Sequence, residues 1–166
     1  STIPMGKPGF YLDLYPVIPD NWNEETARTY ENICGRTSPA WGIFCPQSVK
    51  DDKLYKINNV EEKIDNNFAV ALDYMYFGEE VPIAGMKTAY RQGKLVELTM
   101  QISTVMHLNL NGYNPFFEVL DGTRDDYIRK IARELRDFEH PFMFRLNNEM
   151  NTDWTSYSGI VSLLDP

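Results

Sequence analysis

The sequence predicts an α/β protein built on a parallel β-sheet. After Pro39, short apolar segments typical of strands alternate four times with segments that show helical spacing. No hairpin turn signal joins neighbouring strand segments, so consecutive strands are expected to be linked through helices and to run parallel. With 43% hydrophobic residues over 166 positions the chain can bury a core, and one main domain is expected. Active sites and ligand-binding sites in such sheets lie at the carboxyl ends of the strands, so residues that follow strands are the first candidates for a functional site.

The first 39 residues are predicted to form an N-terminal extension with one short helix. Prolines at positions 4, 8, 16, 19 and 39 interrupt any longer element. The helix is predicted over residues 23–34, because Asn23 is a suitable N-cap and Gly35 suits the position just after a helix. Residues 40–166 are predicted to form the α/β domain.

The first two strands of that domain are short apolar runs. The first covers residues 40–45 (AWGIFC), ends at Pro46 and is followed by a helical stretch at residues 59–65. The second covers residues 68–77 (FAVALDYMYF), and its nearly continuous apolar character predicts a strand covered on both faces.

The third unit contains the longest loop of the chain. Pro82 is suited to a first helical turn, and the helix that follows it is expected to stop at Gly93. The third strand covers residues 95–102 (LVELTMQI), and residues 103–122, which include His107, form a loop of a length that often marks function.

The fourth unit has the clearest helix signal. Thr123 and Asp126 form a helix-start pair, and apolar residues at one-face spacing follow, with charges on the side that we expect to face solvent. The fourth strand covers residues 142–145 (FMFR) and leads directly into a polar segment that contains Asn148 and Glu149.

Charge and composition exclude several classes of partner. With 16 Lys and Arg against 24 Asp and Glu, the net charge is −8, which argues against a phosphate-binding surface and therefore against nucleic acid. No apolar run is long enough for a membrane span. Cys34 and Cys45 lack the spacing of a zinc site, and they could form a disulfide only if their Cα atoms lie within about 7 Å. We expect no metal and no cofactor.

Glu149 is the first candidate for a general acid. It follows the fourth strand and is flanked by amide side chains, an environment that suits proton transfer. Asn148 could position a hydroxyl group, and Trp154 and Tyr157 could offer an apolar face to a sugar ring. The alternative is a structural loop in which the asparagines stabilise turns and the aromatic residues pack at the rim of the sheet.

The segment at residues 140–159, HPFMFRLNNEMNTDWTSYSG, resembles the fourth-strand signature of the family 26 glycoside hydrolases, a group of retaining endo-β-mannanases. The pattern of that family reads approximately P-V-x-x-R-x-x-H-E-M-N-G-x-W. The resemblance implies that Glu149 is the acid/base, Arg145 a supporting arginine and Trp154 an aromatic residue that contacts sugar. It also implies a fold: the first four βα units of a (β/α)8 TIM barrel.

Two residues depart from the family pattern. Asn148 stands where the family has histidine, and Thr152 stands where it has glycine. Asparagine occupies the first of these places in the wider clan of retaining (β/α)8 glycosidases, so this departure does not exclude the implied chemistry. The preferred sugar is left open, because that side chain lies beside the reacting ring.

The retaining mechanism needs a second carboxyl group. The acid/base and the nucleophile lie about 5 to 5.5 Å apart, and in this clan the nucleophile follows the seventh strand, so we expect it beyond these residues. Asp73 and Glu97 lie inside predicted strands and are expected to be paired structural carboxylates. Were the chain active alone, its nucleophile would have to be Asp13, Asp73, Glu97 or Asp121.

Four further residues are candidates for substrate binding because they lie near the ends of strands or in the long loop: Tyr74, Tyr76, Gln101 and His107. The expected function is hydrolysis of a β-linked polysaccharide such as mannan, at the cell surface or outside the cell. A missing C-terminal half, or a second copy of the chain, is the expected protein partner. The alternatives are a non-catalytic carbohydrate-binding barrel and a doubly wound α/β domain, the latter disfavoured because no Gly-rich phosphate loop follows a strand.

Overall fold

The computed structural model describes residues 19–34, 36–103, 115–153, 155, 157 and 158. The chain divides into two compact units, Ser1–Ala40 and Trp41–Pro166. In the first unit, helix α1 covers Glu24–Cys34. The amide of Thr26 donates to Asn23 Oδ1 at 2.8 Å, which confirms Asn23 as the N-cap. The predicted stop at Gly35 lies outside the described residues.

The second unit contains a four-stranded parallel sheet with the strand order β1-β2-β3-β4. Its elements, in chain order, are β1 (Gly42–Phe44), α2 (Tyr55–Ile64), β2 (Val70–Tyr76), α3 (Ile83–Arg91), β3 (Leu95–Gln101), α4 (Pro115–Leu120), α5 (Asp125–Asp137) and β4 (Met143–Leu146). The prediction of an α/β protein with a parallel sheet is confirmed. The four predicted strands are all present, each within about two residues of its predicted bounds.

The two faces of the sheet differ in burial. In β2, Ala71, Asp73 and Met75 are buried, whereas Leu72 and Tyr74, on the opposite face, are only half-buried. The prediction that β2 is covered on both faces therefore holds fully for one face and only in part for the other. An apolar run indicates burial of a strand, but it does not say how completely each face is covered.

One hydrophobic core lies between the buried face of the sheet and the helices. The sheet contributes Ala71, Met75, Val96, Leu98 and Met100, and the helices contribute Ile57, Met86, Ala89, Ile131 and Phe138. Because right-handed crossovers between successive parallel strands place their helices on one side, α2, α3 and α5 share this core. The opposite face and the carboxyl ends of the strands are left for other contacts.

Helix boundaries depart from the predictions in two places. Helix α2 begins four residues before the predicted segment, because the Asp51 carboxylate accepts hydrogen bonds from the amides of Lys53 (3.0 Å) and Tyr55 (2.8 Å). The predicted helix start at Thr123 is wrong: the Thr123 amide donates to Asp121 Oδ1 at 2.9 Å in a turn, and α5 begins at Asp125 without a side-chain cap. Helix α4 lies within the segment that was predicted as a loop.

A buried ion pair joins helix α2 to the residue that precedes β3. Lys94 Nζ lies 2.6 Å from Glu61 Oε1, and the two residues are 5% and 9% exposed. The same carboxyl oxygen accepts a hydrogen bond from the Phe68 amide at 2.6 Å. Helix α2 is thereby fastened to the residues that precede both central strands.

Across the described part of the chain, no helix is long and apolar enough to cross a membrane. The same residues contain no cluster of three or more histidine, cysteine or acidic side chains that could hold a metal ion.

Candidate active site

A cavity of about 390 Å³ opens at the carboxyl ends of the strands. Its lining comes from the segment after β1, from β2 and β3, and from the segment after β4: Phe44, Pro46, Gln47, Lys50, Asp73, Tyr74, Tyr76, Gln101, Asn148 and Glu149. The cavity lies where ligands bind in parallel α/β proteins.

Asp73 holds the segment that follows β1. Its Oδ1 accepts hydrogen bonds from the amides of Gln47 and Tyr74, both at 2.9 Å, and its Oδ2 accepts one from the amide of Val49 at 2.8 Å. The residue is 1% exposed. This confirms the prediction that Asp73 is a satisfied structural carboxylate, and with both oxygens engaged it is unsuited to act as a nucleophile.

Arg145 supports the cavity from the half-buried face of the sheet. Its Nε donates to Thr99 Oγ1 at 2.9 Å and lies 3.4 Å from Glu97 Oε1, so Glu97 is ion-paired as predicted. A terminal nitrogen of the guanidinium group donates to the Tyr74 hydroxyl at 3.3 Å, and the group lies 5.9 Å from the centre of the Tyr74 ring. Phe44 packs edge-on against the same ring at 5.2 Å. Arg145 thus fixes an aromatic wall of the cavity and does not itself line it.

Gln101 and Asn148 join the ends of β3 and β4. Gln101 Nε2 donates to Asn148 Oδ1 at 2.6 Å, and Gln101 is 4% exposed. One residue earlier, the Asn147 amide donates to Met100 O at 2.8 Å, and Asn147 Oδ1 accepts from the Ile102 amide at 2.9 Å. Hydrogen bonds at two successive residues, Asn147 and Asn148, therefore attach the loop that carries Glu149 to the end of β3.

Glu149 is exposed at the mouth of the cavity. Its carboxyl group has no partner among the described residues. Its backbone has a φ of 51°, and Asn147 has a φ of 59°, so two residues other than glycine adopt the left-handed conformation on either side of Asn148. That conformation costs a glutamate roughly 1 to 2 kcal/mol, whereas asparagine adopts it readily, and strain of this kind is concentrated at functional sites.

The structure brings five of the predicted site residues together. They line one cavity and are Tyr74, Tyr76, Gln101, Asn148 and Glu149. Arg145 contacts Tyr74. The predicted positions of Trp154 and His107 lie outside the described residues, as does the side chain of Cys34.

The interpretation of Tyr157 as a face for sugar stacking is wrong. The residue is 8% exposed, and its hydroxyl group donates to Asn148 O at 2.7 Å. A tyrosine has both an apolar ring and a polar group, so the sequence alone does not say whether the ring or the hydroxyl serves the site.

Sequence reasoning missed the part of the cavity that follows β1. Pro46, Gln47 and Lys50 contribute to it, and Lys50 Nζ lies 2.8 Å from Glu79 Oε2, which also accepts a hydrogen bond from the Tyr76 amide at 2.7 Å. The signal that could have found them is the rule that identified Glu149: these residues follow the carboxyl end of a parallel strand.

Comparisons with known proteins add no relative. No family model matches the chain, and no curated protein or solved structure matches it.

The arrangement combines aromatic walls, oriented amides and one accessible carboxylate. Aromatic faces accept the apolar side of a ring, amides exchange hydrogen bonds with hydroxyl groups, and a carboxyl group at a cavity mouth transfers protons. These are the properties required for binding a small polyhydroxylated ligand and for acid/base chemistry on it.

Proposed function

We propose that this chain is the first half of a (β/α)8 barrel and that it belongs to a retaining glycoside hydrolase of β-linked polysaccharide, such as β-mannan. Glu149 is the acid/base. The observation that carries the proposal is the position of this residue: it follows the fourth strand of a parallel sheet and borders the cavity with a carboxyl group that no other described residue pairs. A general acid must reach the substrate, and its location satisfies that requirement.

The strand order supports a barrel over a doubly wound sheet. Doubly wound sheets reverse direction at a switch point, where the ligand binds. Here the four strands follow one another in sequence order, and helices α2, α3 and α5 contribute to a single core. A TIM barrel repeats this unit eight times.

The cavity lining supports a carbohydrate ligand. Phe44, Tyr74 and Tyr76 supply aromatic surface, and Gln101 and Asn148 supply amide groups. Sugar rings have apolar faces and a rim of hydroxyl groups, so they use both kinds of surface. Trp154 extends the aromatic surface in this proposal.

The second carboxylate of the retaining mechanism is assigned to further strands, either in the same polypeptide or in a second copy of the chain. Among the described lining residues only Asp73 and Glu149 carry carboxyl groups. The carboxylate of Asp73 accepts three backbone hydrogen bonds. The same observation favours a second candidate function, a non-catalytic carbohydrate-binding protein. Hydrolysis by the assembled barrel separates the two.

Glu149→Gln tests the acid/base assignment in the assembled enzyme. Turnover of natural polysaccharide should fall by about 10²- to 10⁴-fold, the usual range for general acid catalysis. Substrates with a good leaving group should lose much less in the first step, because they need no proton.

Glu139→Gln is the matched control for that experiment. Glu139 is an exposed glutamate with a φ of 61°, and it precedes β4, at the opposite end of the strand from Glu149. Its substitution should leave turnover unchanged. Equal losses on both kinds of substrate in Glu149→Gln would contradict the assignment.

Trp154→Ala tests the carbohydrate-binding part of the proposal. Binding of a β-mannan oligosaccharide should weaken by roughly 1 to 3 kcal/mol, the order expected for the loss of a large apolar contact. Calorimetric titration measures the change, and an unaltered affinity would assign Trp154 to packing.

Size-exclusion chromatography with light scattering tests the half-barrel. Phe44 and Leu146, on the two edge strands, are 54% and 55% exposed, and edges of this kind promote association. The chain alone should therefore be inactive and should associate. A monomer of 19.3 kDa that melts cooperatively and hydrolyses polysaccharide would overturn the half-barrel.

A further inference from the structure

Tyr157 contacts Asn148, the residue between two positions with a positive φ, Asn147 and Glu149. It is 8% exposed, and its ring contributes to no wall of the cavity. Its hydroxyl group contacts three polar atoms of Asn148, so the hydroxyl group, and not the ring, connects Tyr157 to the site.

Two of these contacts fix the backbone of Asn148. The hydroxyl group donates to Asn148 O at 2.7 Å, and the Asn148 amide donates to the same hydroxyl oxygen at 3.3 Å. A single side chain thus satisfies both the donor and the acceptor of the main chain at a residue that has left the β4 ladder.

The remaining contact concerns the orientation of the side-chain amide. Asn148 Oδ1 accepts from Gln101 Nε2 at 2.6 Å and lies 3.2 Å from the Tyr157 hydroxyl oxygen. Because the carbonyl end of the amide faces these two groups, its NH₂ end is left for the cavity. The described residues offer that NH₂ group no partner.

Hydrogen bonds on both sides of Asn148 extend its constraint to the backbone of Glu149. Asn147 is tied to β3 on one side, and on the other side Glu149 O accepts hydrogen bonds from the amide (3.1 Å) and the hydroxyl group (2.8 Å) of Thr152. Asn148 is the link between these anchors. A tyrosine that holds Asn148 therefore holds the direction in which the next side chain leaves the backbone.

We propose that Tyr157 is a positioning residue of the candidate active site: its hydroxyl group fixes the peptide of Asn148, and through it the placement of the Asn148 side chain and of Glu149. The inference rests on the proposed function only for the ligand used to test it. The hydrogen-bonding part can be tested without any ligand.

Tyr157→Phe in the 166-residue chain is the informative variant, because it keeps the buried ring and removes only the hydroxyl group. Tyr127→Phe is the matched control, since Tyr127 also donates a single hydroxyl hydrogen bond, to Glu79 O at 2.8 Å, and does not line the cavity. Hydrogen exchange followed by NMR should show the Asn148 amide exchanging at least about tenfold faster in Tyr157→Phe and unchanged in Tyr127→Phe.

Titration with a soluble β-mannan oligosaccharide provides the second measurement. The Kd should rise on the order of fivefold in Tyr157→Phe, as expected for the loss of one hydrogen bond that orients a ligand contact. In an Asn148→Ala background the same substitution should have a smaller effect, because the side-chain amide is gone and only the contacts to the peptide remain.

Unchanged exchange at Asn148, or an equal rise of Kd in both backgrounds, would overturn the inference. Failure of the proposed function looks different. If neither the wild-type chain nor the assembled barrel binds oligosaccharide, the glycosidase proposal loses its support, and the exchange measurement still decides the role of Tyr157.

Discussion

Glu61 and Glu149, near opposite ends of the parallel sheet, lie in opposite environments. At the amino ends, the charges of Lys94 and Glu61 are buried together, and the Phe68 amide completes the carboxylate's hydrogen bonding. At the carboxyl ends, Glu149 is left exposed and unpaired among the described residues, beside a cavity. One end fastens strands to a helix and the other keeps a carboxylate available, the separation of stability from function expected for parallel α/β folds.

The same contrast appears along a single strand. Glu139 and Glu149 flank β4, and both are exposed glutamates with a positive φ. Only Glu149 borders the cavity and follows a loop that is hydrogen-bonded to the neighbouring strand. A glutamate in a strained conformation is therefore a candidate because of the groups around it, and the strain alone does not identify it.

Breaking the buried ion pair should produce the largest effect on stability. Lys94→Met leaves the Glu61 carboxylate buried without its cation, which should lower the free energy of unfolding by about 3 to 5 kcal/mol. Denaturant melts measure the loss. The double variant Lys94→Met, Glu61→Gln should recover most of it, because no charge is then left unpaired and the glutamine oxygen can still accept from the Phe68 amide. A double variant as unstable as the single one would contradict this account.

Gly85→Ala should disturb the carboxyl end through the packing of α3. A Cβ at position 85 would lie 1.8 Å from Val49 O, in the segment that Asp73 holds over the sheet. The backbone has to shift, and we expect a loss of about 1 to 3 kcal/mol, the usual cost of overpacking. Unlike Lys94→Met, this variant should also weaken ligand binding in proportion to the displacement of the segment, and normal stability would show that α3 can move freely.

The variants Gln47→Gly and Asp65→Gly test the effect of backbone strain beside the cavity and away from it. Gln47 has a φ of 60° beside the cavity, and Asp65 has a φ of 49° at the end of α2, away from the cavity. Glycine relieves the strain, so each variant should gain up to about 1 kcal/mol of stability. Only Gln47→Gly should weaken oligosaccharide binding, and equal binding by both variants would assign Gln47 to the scaffold.

Asp51→Asn should have the smallest effect, and the effect should depend on pH. The backbone amides of Lys53 and Tyr55 hold the pKa of Asp51 below its ordinary value of 3.8. Because the folded-state pKa is the lower one, the carboxylate contributes stability above the unfolded-state value, and that contribution is lost as the pH falls through the folded-state value. The melting temperature of Asp51→Asn should thus lie slightly below that of the wild type at neutral pH, and the two should converge below about pH 3.8; a difference that persists in strong acid would show that charge is not the cause.

The sheet was predictable from the sequence because its signals are local. Four apolar runs without hairpin turns were enough to predict parallel strands, and the location of polar residues after β3 and β4 was enough to bring Gln101, Asn148 and Glu149 into one site. The starts of helices α2 and α5 were harder to predict from the sequence. Asp51 holds the first turn of α2 from four residues upstream, where the sequence offered no apolar spacing to reveal it.

The missed part of the site depends on long-range contacts. Gln47 joins the cavity because the carboxylate of Asp73, 26 positions later, binds its amide, and no local pattern encodes that contact. The burial of Tyr157 has the same origin, since its partner Asn148 lies nine positions earlier in a loop of unusual conformation. Local spacing predicts elements, whereas contacts of this kind determine which side of a residue faces a ligand.

The hydrogen bonds that Asp73 accepts from the segment after β1 affect which positions of this protein can vary in evolution. The hold acts on main-chain amides, at Gln47 and Val49, so it does not depend on which side chains the segment carries. Substitutions at Pro46, Gln47 and Lys50 can accordingly reshape one wall of the cavity while the anchor that supports it stays in place. Diversification of ligand preference among descendants of this sequence should concentrate in that wall, and Asp73 should tolerate almost no replacement.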